Sequence, residues 1–298
     1  MRRRTEDGTM KKIALITNYN IPEKLQAAML VAEKIGNRAD NIFIPLNYKD
    51  RILRNHMHSS LFVYKSLDEI YTEAELAIVI GGDGSMLDAA RRSAPSGIPV
   101  LGINMGRVGY MTELEMDELD LLEKLFAGEY KLDERAMLSV SVVSSKGQVK
   151  FKADALNEAV IANGTTARII DLELSDGDEL VNTYRADGLV IATPTGSTAY
   201  SLSAGGPIVA PNLSCICVTP VCPHSLFARP LIFPDTAMLN IKNVCVREKV
   251  LHLTVDGRVN FEMYHGDVAQ ITKSPIKARL LRLKDGSFCS KIRLKKLL

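Results

Sequence analysis

The chain has 298 residues and a mass of 32.8 kDa, more than one compact core usually fills, so two domains are expected. Hydrophobic residues at 46% beside 24% charged residues exclude a disordered, collagen-like or coiled-coil chain. A near balance of 37 Lys and Arg against 35 Asp and Glu leaves a net charge of +2, no footprint for nucleic acid or an anionic membrane, so any bound anion must be held by local geometry.

Met10–Lys12 reads as a natural start, and residues 1–9 are expected to be an extension without structure. Arg2 to Arg4 precede no apolar run long enough for a signal peptide, which points to a cytoplasmic location. Lys12–Asn18 is β-rich, and Leu25, Ala28, Met29, Ala32 and Ile35 recur on one helical face that ends near Gly36. Residues 47–75, with His56 and His58 read as solvated, suggest a variable surface loop or a connecting helix. Leu76–Ile80 is wholly apolar and runs directly into Gly81-Gly82-Asp83-Gly84, after which Ser85–Arg92 reads as a helix with Met86, Leu87 and Ala90 inward. Pro99–Ile103 is a further strand, leading into Asn104, Gly106 and Gly109. This alternation predicts an α/β domain over 10–128 with a parallel, Rossmann-like sheet.

From Glu129 the rhythm changes. Met137–Val143, Ala155–Ala162, Ile169–Ser175, Leu180–Tyr184, Leu189–Ala192, Cys215–Thr219, Val250–Val255 and Val268–Thr272 are short β-type runs separated by turn residues. They predict a β-rich layered domain over 129–275. The tail 276–298, apolar at Ala278–Leu283 and Ile292–Leu298, is expected to pack back on the first domain. The uncharged stretch Gly188–Ala228 is long enough to span a bilayer, but five prolines and several glycines would leave its backbone unpaired in lipid, so buried strands and turns are expected instead. Five cysteines fit a reducing compartment. Cys215, Cys217, Cys222 and His224 lack the C-x2-C spacing of a zinc knuckle, and buried thiols in a strand are the preferred reading.

Three segments carry chemistry. Gly81, Gly82 and Gly84 surround Asp83 just after a buried strand, where bare N–H groups can approach phosphate oxygens and a helix adds its positive end. Asp83 beside a phosphate would either take a proton from an attacking hydroxyl or hold a metal; the alternative is an ordinary Asp-Gly turn. Asn157 and Glu158 interrupt an apolar run. An Asn amide can read adenine, which would leave Glu158 to a ribose, whereas a satisfied turn or capping pair is the structural alternative. Thr193 to Pro207 supplies hydroxyls and glycines without charge, suiting a dinucleotide, or else serves as a passive linker. Arg185 and Asp187, just before it, could clamp a phosphate and touch a base, or form an exposed ion pair.

GGDGSML at 81–87, GINMGRVGYMTE at 102–113, NEAVI at 157–161, RADGLVIATPTGSTAYSLSAGGPIV at 185–209, CPHSLFARP at 222–230 and VDG at 255–257 together resemble the bacterial NAD kinases in order and spacing. The resemblance covers roughly residues 10–285. It implies transfer of the γ-phosphoryl group of ATP, carried with a divalent cation such as Mg²⁺, to the 2′-hydroxyl of the adenosine ribose of NAD. It implies Asp83 as general base, with Gly84 beside it, and Asn157 and Glu158 at the adenine amine and a ribose. Arg168, Arg185 and Asp187 match nucleotide-contacting positions. Thr195 and the segment Thr198, Ala199, Tyr200, Ser201, Leu202 and Ser203 match the NAD-lining segment, with Ala199 and Tyr200 reaching a neighbouring subunit of a homo-oligomer. The chain departs from many relatives at Arg258, after the VDG turn. A lipid kinase that shares GGDG and a non-catalytic NAD sensor are the rival readings.

Overall fold

The structure, a computed structural model, describes residues 10–55, 60–106, 109–164, 168–246, 250–286 and 288–294. The expected extension at 1–9 and the two histidines at 56 and 58 lie outside them. The chain divides into two compact units, one running to Glu134 and resuming at Ala278, the other spanning Arg135–Lys277.

The first unit is built from β1 (Lys12–Ile16), α1 (Pro22–Ile35), β2 (Asn41–Pro45), α2 (Lys49–Arg54), β3 (Phe62–Lys65), α3 (Leu67–Glu73), β4 (Leu76–Ile80), α4 (Asp83–Ser93), β5 (Val100–Ile103) and α5 (Leu122–Phe126). Its strands pair in parallel in the order β3-β2-β1-β4-β5. All five residues of β4 are buried, the mark of a parallel sheet covered on both faces. Residues 47–75, expected as a loop or connecting helix, hold α2, β3 and α3. Strand β3 escapes detection because all four of its residues are only half-buried and carry no alternation. Ser66 caps α3 by a reciprocal box with Glu69. Helix α4 begins at Asp83 rather than Ser85, and Leu87, expected inward, is half-buried while Met86, Ala89 and Ala90 face the core.

The second unit contains β7 (Val149–Ala155), β8 (Glu158–Ala162), β9 (Ile170–Asp176), β10 (Glu179–Ala186), β11 (Gly188–Ala192), α6 (Tyr200–Ser203), β12 (Cys215–Val221), β13 (Leu231–Pro234), β14 (Leu239–Asn243), β15 (Val250–Val255) and β16 (Val259–Tyr264). Two long strands, β6 (Lys131–Val143) and β17 (Val268–Arg282), carry the chain between units, and α7 (Phe288–Leu294) follows in the first. One antiparallel layer joins β10, β9, β14 and β17, with β6 and β7 alongside; the other has the order β13-β12-β11-β8-β15-β16. Leu138, Val140, Leu172, Leu174 and Ile241 of the first layer share a core with Ile161, Leu189, Ile191, Val218 and Leu253 of the second. The uncharged stretch 188–228 holds β11, α6 and β12, and no helix of the described residues is long and apolar enough to cross a membrane.

The expected strand Ala155–Ala162 is broken. β7 ends at Ala155 and β8 starts at Glu158, because the backbone N–H groups between them are taken by a side chain.

Candidate functional site

In the first unit the strand order reverses between β1 and β4, so the loops leaving their carboxyl ends border the crevice where open parallel sheets bind ligands. Thr17 Oγ1 donates to the Ile80 carbonyl at 2.8 Å and ties the two loops together. The Gly81 N–H donates to the Ile103 carbonyl at 3.0 Å, and a Cβ on Gly81 would lie 2.6 Å from Ser85 Oγ. Gly81 therefore serves the turn itself, which corrects the expectation that all three glycine amides face an anion. A Cβ on Gly82 or Gly84 would meet nothing within 4 Å, so a ligand can approach these two closely at the start of the 11-residue helix α4. Lys24, in the first turn of α1, brings Nζ to 3.9 Å from the Cβ position of Gly81. Sequence reasoning passed over Lys24, since nothing local links it to a turn some 60 residues later.

Asp83 occupies the first position of α4, where the helix dipole favours a negative charge. Its Oδ2 accepts from the Tyr110 N–H at 2.8 Å and its Oδ1 from the Met111 N–H at 2.9 Å. These two bonds tie both oxygens of Asp83 to the loop at 110–111. Burial, and then the Asp83 charge, raises the Tyr110 phenol above its ordinary pKa.

In the second unit the centre is the turn Val255–Gly257 between β15 and β16. Asp256 has φ +50°, a left-handed backbone that Asp tolerates better than most residues. Its Oδ2 accepts from the Leu156 N–H at 2.8 Å, and its Oδ1 from the N–H groups of Asn157 at 2.8 Å and Glu158 at 3.1 Å. The Asp256 N–H returns a bond to the Glu158 carbonyl at 3.0 Å. Freed from the ladder, Asn157 is half-buried and its side-chain amide makes no hydrogen bond among the described residues. Glu158 is buried and its Oε2 has no hydrogen-bond partner among the described residues. Burial, and secondarily the Asp256 charge, pushes the Glu158 carboxyl up to about 7.

The segment Thr193–Pro207 is bonded to this pair. The Thr193 N–H donates to the Asn157 carbonyl at 2.9 Å, and Thr193 Oγ1 donates to the Leu156 carbonyl at 2.6 Å. A Cβ on Gly196 would fall 2.1 Å from the Asn157 carbonyl oxygen, so only glycine fits. Many of the hydroxyls expected to serve a ligand instead hold the segment. Ser197 Oγ donates to the Pro194 carbonyl, Thr198 Oγ1 to the Thr195 carbonyl, and Thr195 Oγ1 accepts from Arg135. Ser201, fully buried, shares a bond with Thr219 Oγ1 at 3.0 Å. Ser201 can reach a ligand only through its backbone, whereas Tyr200 and Ser203 are exposed and Ala199 and Leu202 are half-buried.

Arg168, Arg185 and Asp187 are all exposed. Arg185 leans towards Asp171 rather than Asp187, with Nε 3.9 Å from Oδ1, an exposed pair of little weight. Cys215 and Cys217 lie in β12, and burial pushes the Cys217 thiol up to about 12.

Residues 13–130 match the ATP-NAD kinase N-terminal domain and residues 156–283 the ATP-NAD kinase C-terminal domain. The chain is 39% identical over 282 residues to an NAD kinase of Aromatoleum aromaticum, covering 94% of this chain and 92% of that one. It is 38% identical to an NAD kinase of a Geobacter species, covering 96% and 98% respectively. Among solved structures, the yeast NADH kinase complexed with NADH superposes with a TM-score of 0.87 at 23% identity, covering 96% of this chain and 87% of that chain. An Archaeoglobus fulgidus NAD kinase in complex with ATP gives 0.67 at 22% identity, covering 95% and 98%. These two share the fold. With both of its halves matched and the identity running almost end to end, the chain belongs to the NAD kinase family.

Proposed function

We propose that the chain phosphorylates NAD at the 2′-hydroxyl of its adenosine ribose, using ATP and forming NADP. The observation that carries this reading is the identity to NAD kinases along almost the whole chain. The rival lipid-kinase and sensor readings gain no support from that family.

In this reading the 2′-oxygen attacks the γ-phosphorus, the bond to the β–γ bridging oxygen breaks, ADP leaves, and the hydroxyl proton passes to the Asp83 carboxylate. The Tyr110 and Met111 N–H groups hold that carboxylate in place, so no reorganisation is needed at the moment of transfer. Gly82, Gly84 and the start of α4 receive phosphate oxygens, and the Lys24 ammonium adds positive charge at the same turn. Asn157 supplies its unengaged amide to adenine, and Glu158 takes a ribose hydroxyl; Thr195, Thr198 to Ser203, Arg168, Arg185 and Asp187 contribute at the periphery of the nucleotide.

The divalent cation enters as part of the ATP complex. Among the described residues no three His, Cys, Asp or Glu side chains converge on one point, and a Mg²⁺ ion carried with ATP would take phosphate oxygens among its ligands. A homo-oligomer with a shared NAD site is supported by the loop ahead of edge strand β13, where Leu226 and Phe227 are 86% and 90% exposed. All five cysteines are free, which supports the cytoplasm. Incubation of the purified chain with ATP, Mg²⁺ and either NAD or diacylglycerol tests the whole reading: NADP must form, and phosphatidic acid in its place would overturn it.

A further inference from the structure

Asp256 takes no part in the chemistry described so far, yet its carboxylate is committed to the backbone of a distant segment. It is only 5% exposed, sits at a positive φ, and binds three consecutive backbone N–H groups through two oxygens. The fourth bond, from its own N–H to the Glu158 carbonyl, closes the clasp from the other side. A strand that continued through residues 156 and 157 would point successive N–H groups to opposite edges; here one carboxylate gathers all three. At consecutive positions, and among the described residues, the Asn157 amide is left unengaged and a buried Glu158 oxygen without a partner.

We propose that Asp256 is the positioning residue of the nucleotide site, fixing the Asn157 amide and the Glu158 carboxyl for the ligand through the backbone that carries them. This rests on the reading that Asn157 and Glu158 bind NAD. Charged bonds to three N–H groups fix the direction of both side chains more tightly than a ladder register would. Burial first, and the same charge acting through space second, keep the proton on the Glu158 carboxyl up to about 7. On β11 its ladder partner is the apolar Ala192; the charged groups on neighbouring elements are Asp256 itself, Arg258 in the same turn, and Arg135, which donates to Thr195 Oγ1. A ribose offers hydroxyl donors to a carboxylate, so NAD should bind better as Glu158 ionises, with affinity rising as pH rises through that region.

The test uses the full chain and two variants, Asp256→Asn and Asp256→Gly, both of which accept a positive φ. NAD affinity of the unchanged chain, measured by calorimetry, checks the underlying reading first; no binding there would overturn that reading and this proposal with it. With binding established, Asp256→Asn should raise KM for NAD about tenfold while KM for ATP moves less than about threefold. It should also shift the midpoint of the pH profile of NAD binding to lower pH, since the charge that held the proton on Glu158 is gone. Asp256→Gly should do the same to a greater degree. An unmoved midpoint, equal rises in both KM values, or loss of a cooperative melt in both variants would make Asp256 a scaffold residue and overturn the proposal.

Discussion

Gly109 and Asp83 approach so closely that a Cβ on Gly109 would fall 2.3 Å from Asp83 Oδ1, and 2.9 Å from Thr112 Oγ1. The loop that donates its N–H groups to Asp83 can do so only because nothing projects from Gly109. Gly109→Ala should therefore turn the carboxylate away from its two donors and cut kcat about a hundredfold, with NAD affinity largely kept. Steady-state kinetics beside NAD calorimetry would reveal it; wild-type kcat would mean that the Asp83 position is irrelevant to turnover.

Asp83→Asn keeps size and most hydrogen-bonding capacity but cannot take a proton. Turnover should fall by roughly 10²–10⁴-fold while NAD still binds. A variant that turns over normally in a single-turnover assay would remove Asp83 from the proton path.

Asn157→Ala removes an amide that makes no hydrogen bond among the described residues. It should leave the thermal midpoint nearly unchanged and weaken NAD binding by roughly 1–3 kcal/mol. Unaltered affinity by calorimetry would take the adenine contact away from Asn157.

Glu158 makes stability depend on pH in a defined direction. Its carboxyl is raised from 4.5 to about 7 on folding, so between those values the folded chain keeps a proton that the unfolded chain has lost, and stability falls as pH rises through that window. Glu158→Gln carries no proton to lose. It should match the parent at pH 4 and exceed it at pH 8 by on the order of 3 kcal/mol. Denaturant melts at the two values would show this, and parallel behaviour at both would mean that Glu158 is not raised.

Lys24→Ala should raise KM for ATP several-fold, more at low salt than at high, with KM for NAD less affected. A change confined to NAD would assign Lys24 to the other substrate.

Much of this was legible in the residues. Leu76–Ile80 coincides with β4, and GGDG lies where the strand order places a ligand crevice, because a buried parallel strand and a glycine turn both leave strong local marks. Strands β13 and β16, each at a sheet edge, were missed: in β13 the exposed Ile232 is as apolar as its inward neighbours, whereas β16 alternates Val259, Phe261 and Met263 inward with Asn260 and Glu262 outward and was legible. The part of Asp256 was invisible for a different reason. It acts on backbone N–H groups about 100 residues away, so no side-chain motif records it; the only local hint is an Asp before Gly257 in a tight turn. The hydroxyl-rich segment was recognised as special, but its hydroxyls mostly bond to their own loop, a use that composition cannot distinguish from contact with a ligand.

The end of β17 returns to the first unit, where Leu280 lies in parallel register with Val100 on β5. A ribosome therefore finishes the entire β-layered unit before it delivers the segment that flanks β5. Until then the nascent first unit carries an unfilled flank, and its maturation is tied to completion of the chain rather than to its own synthesis.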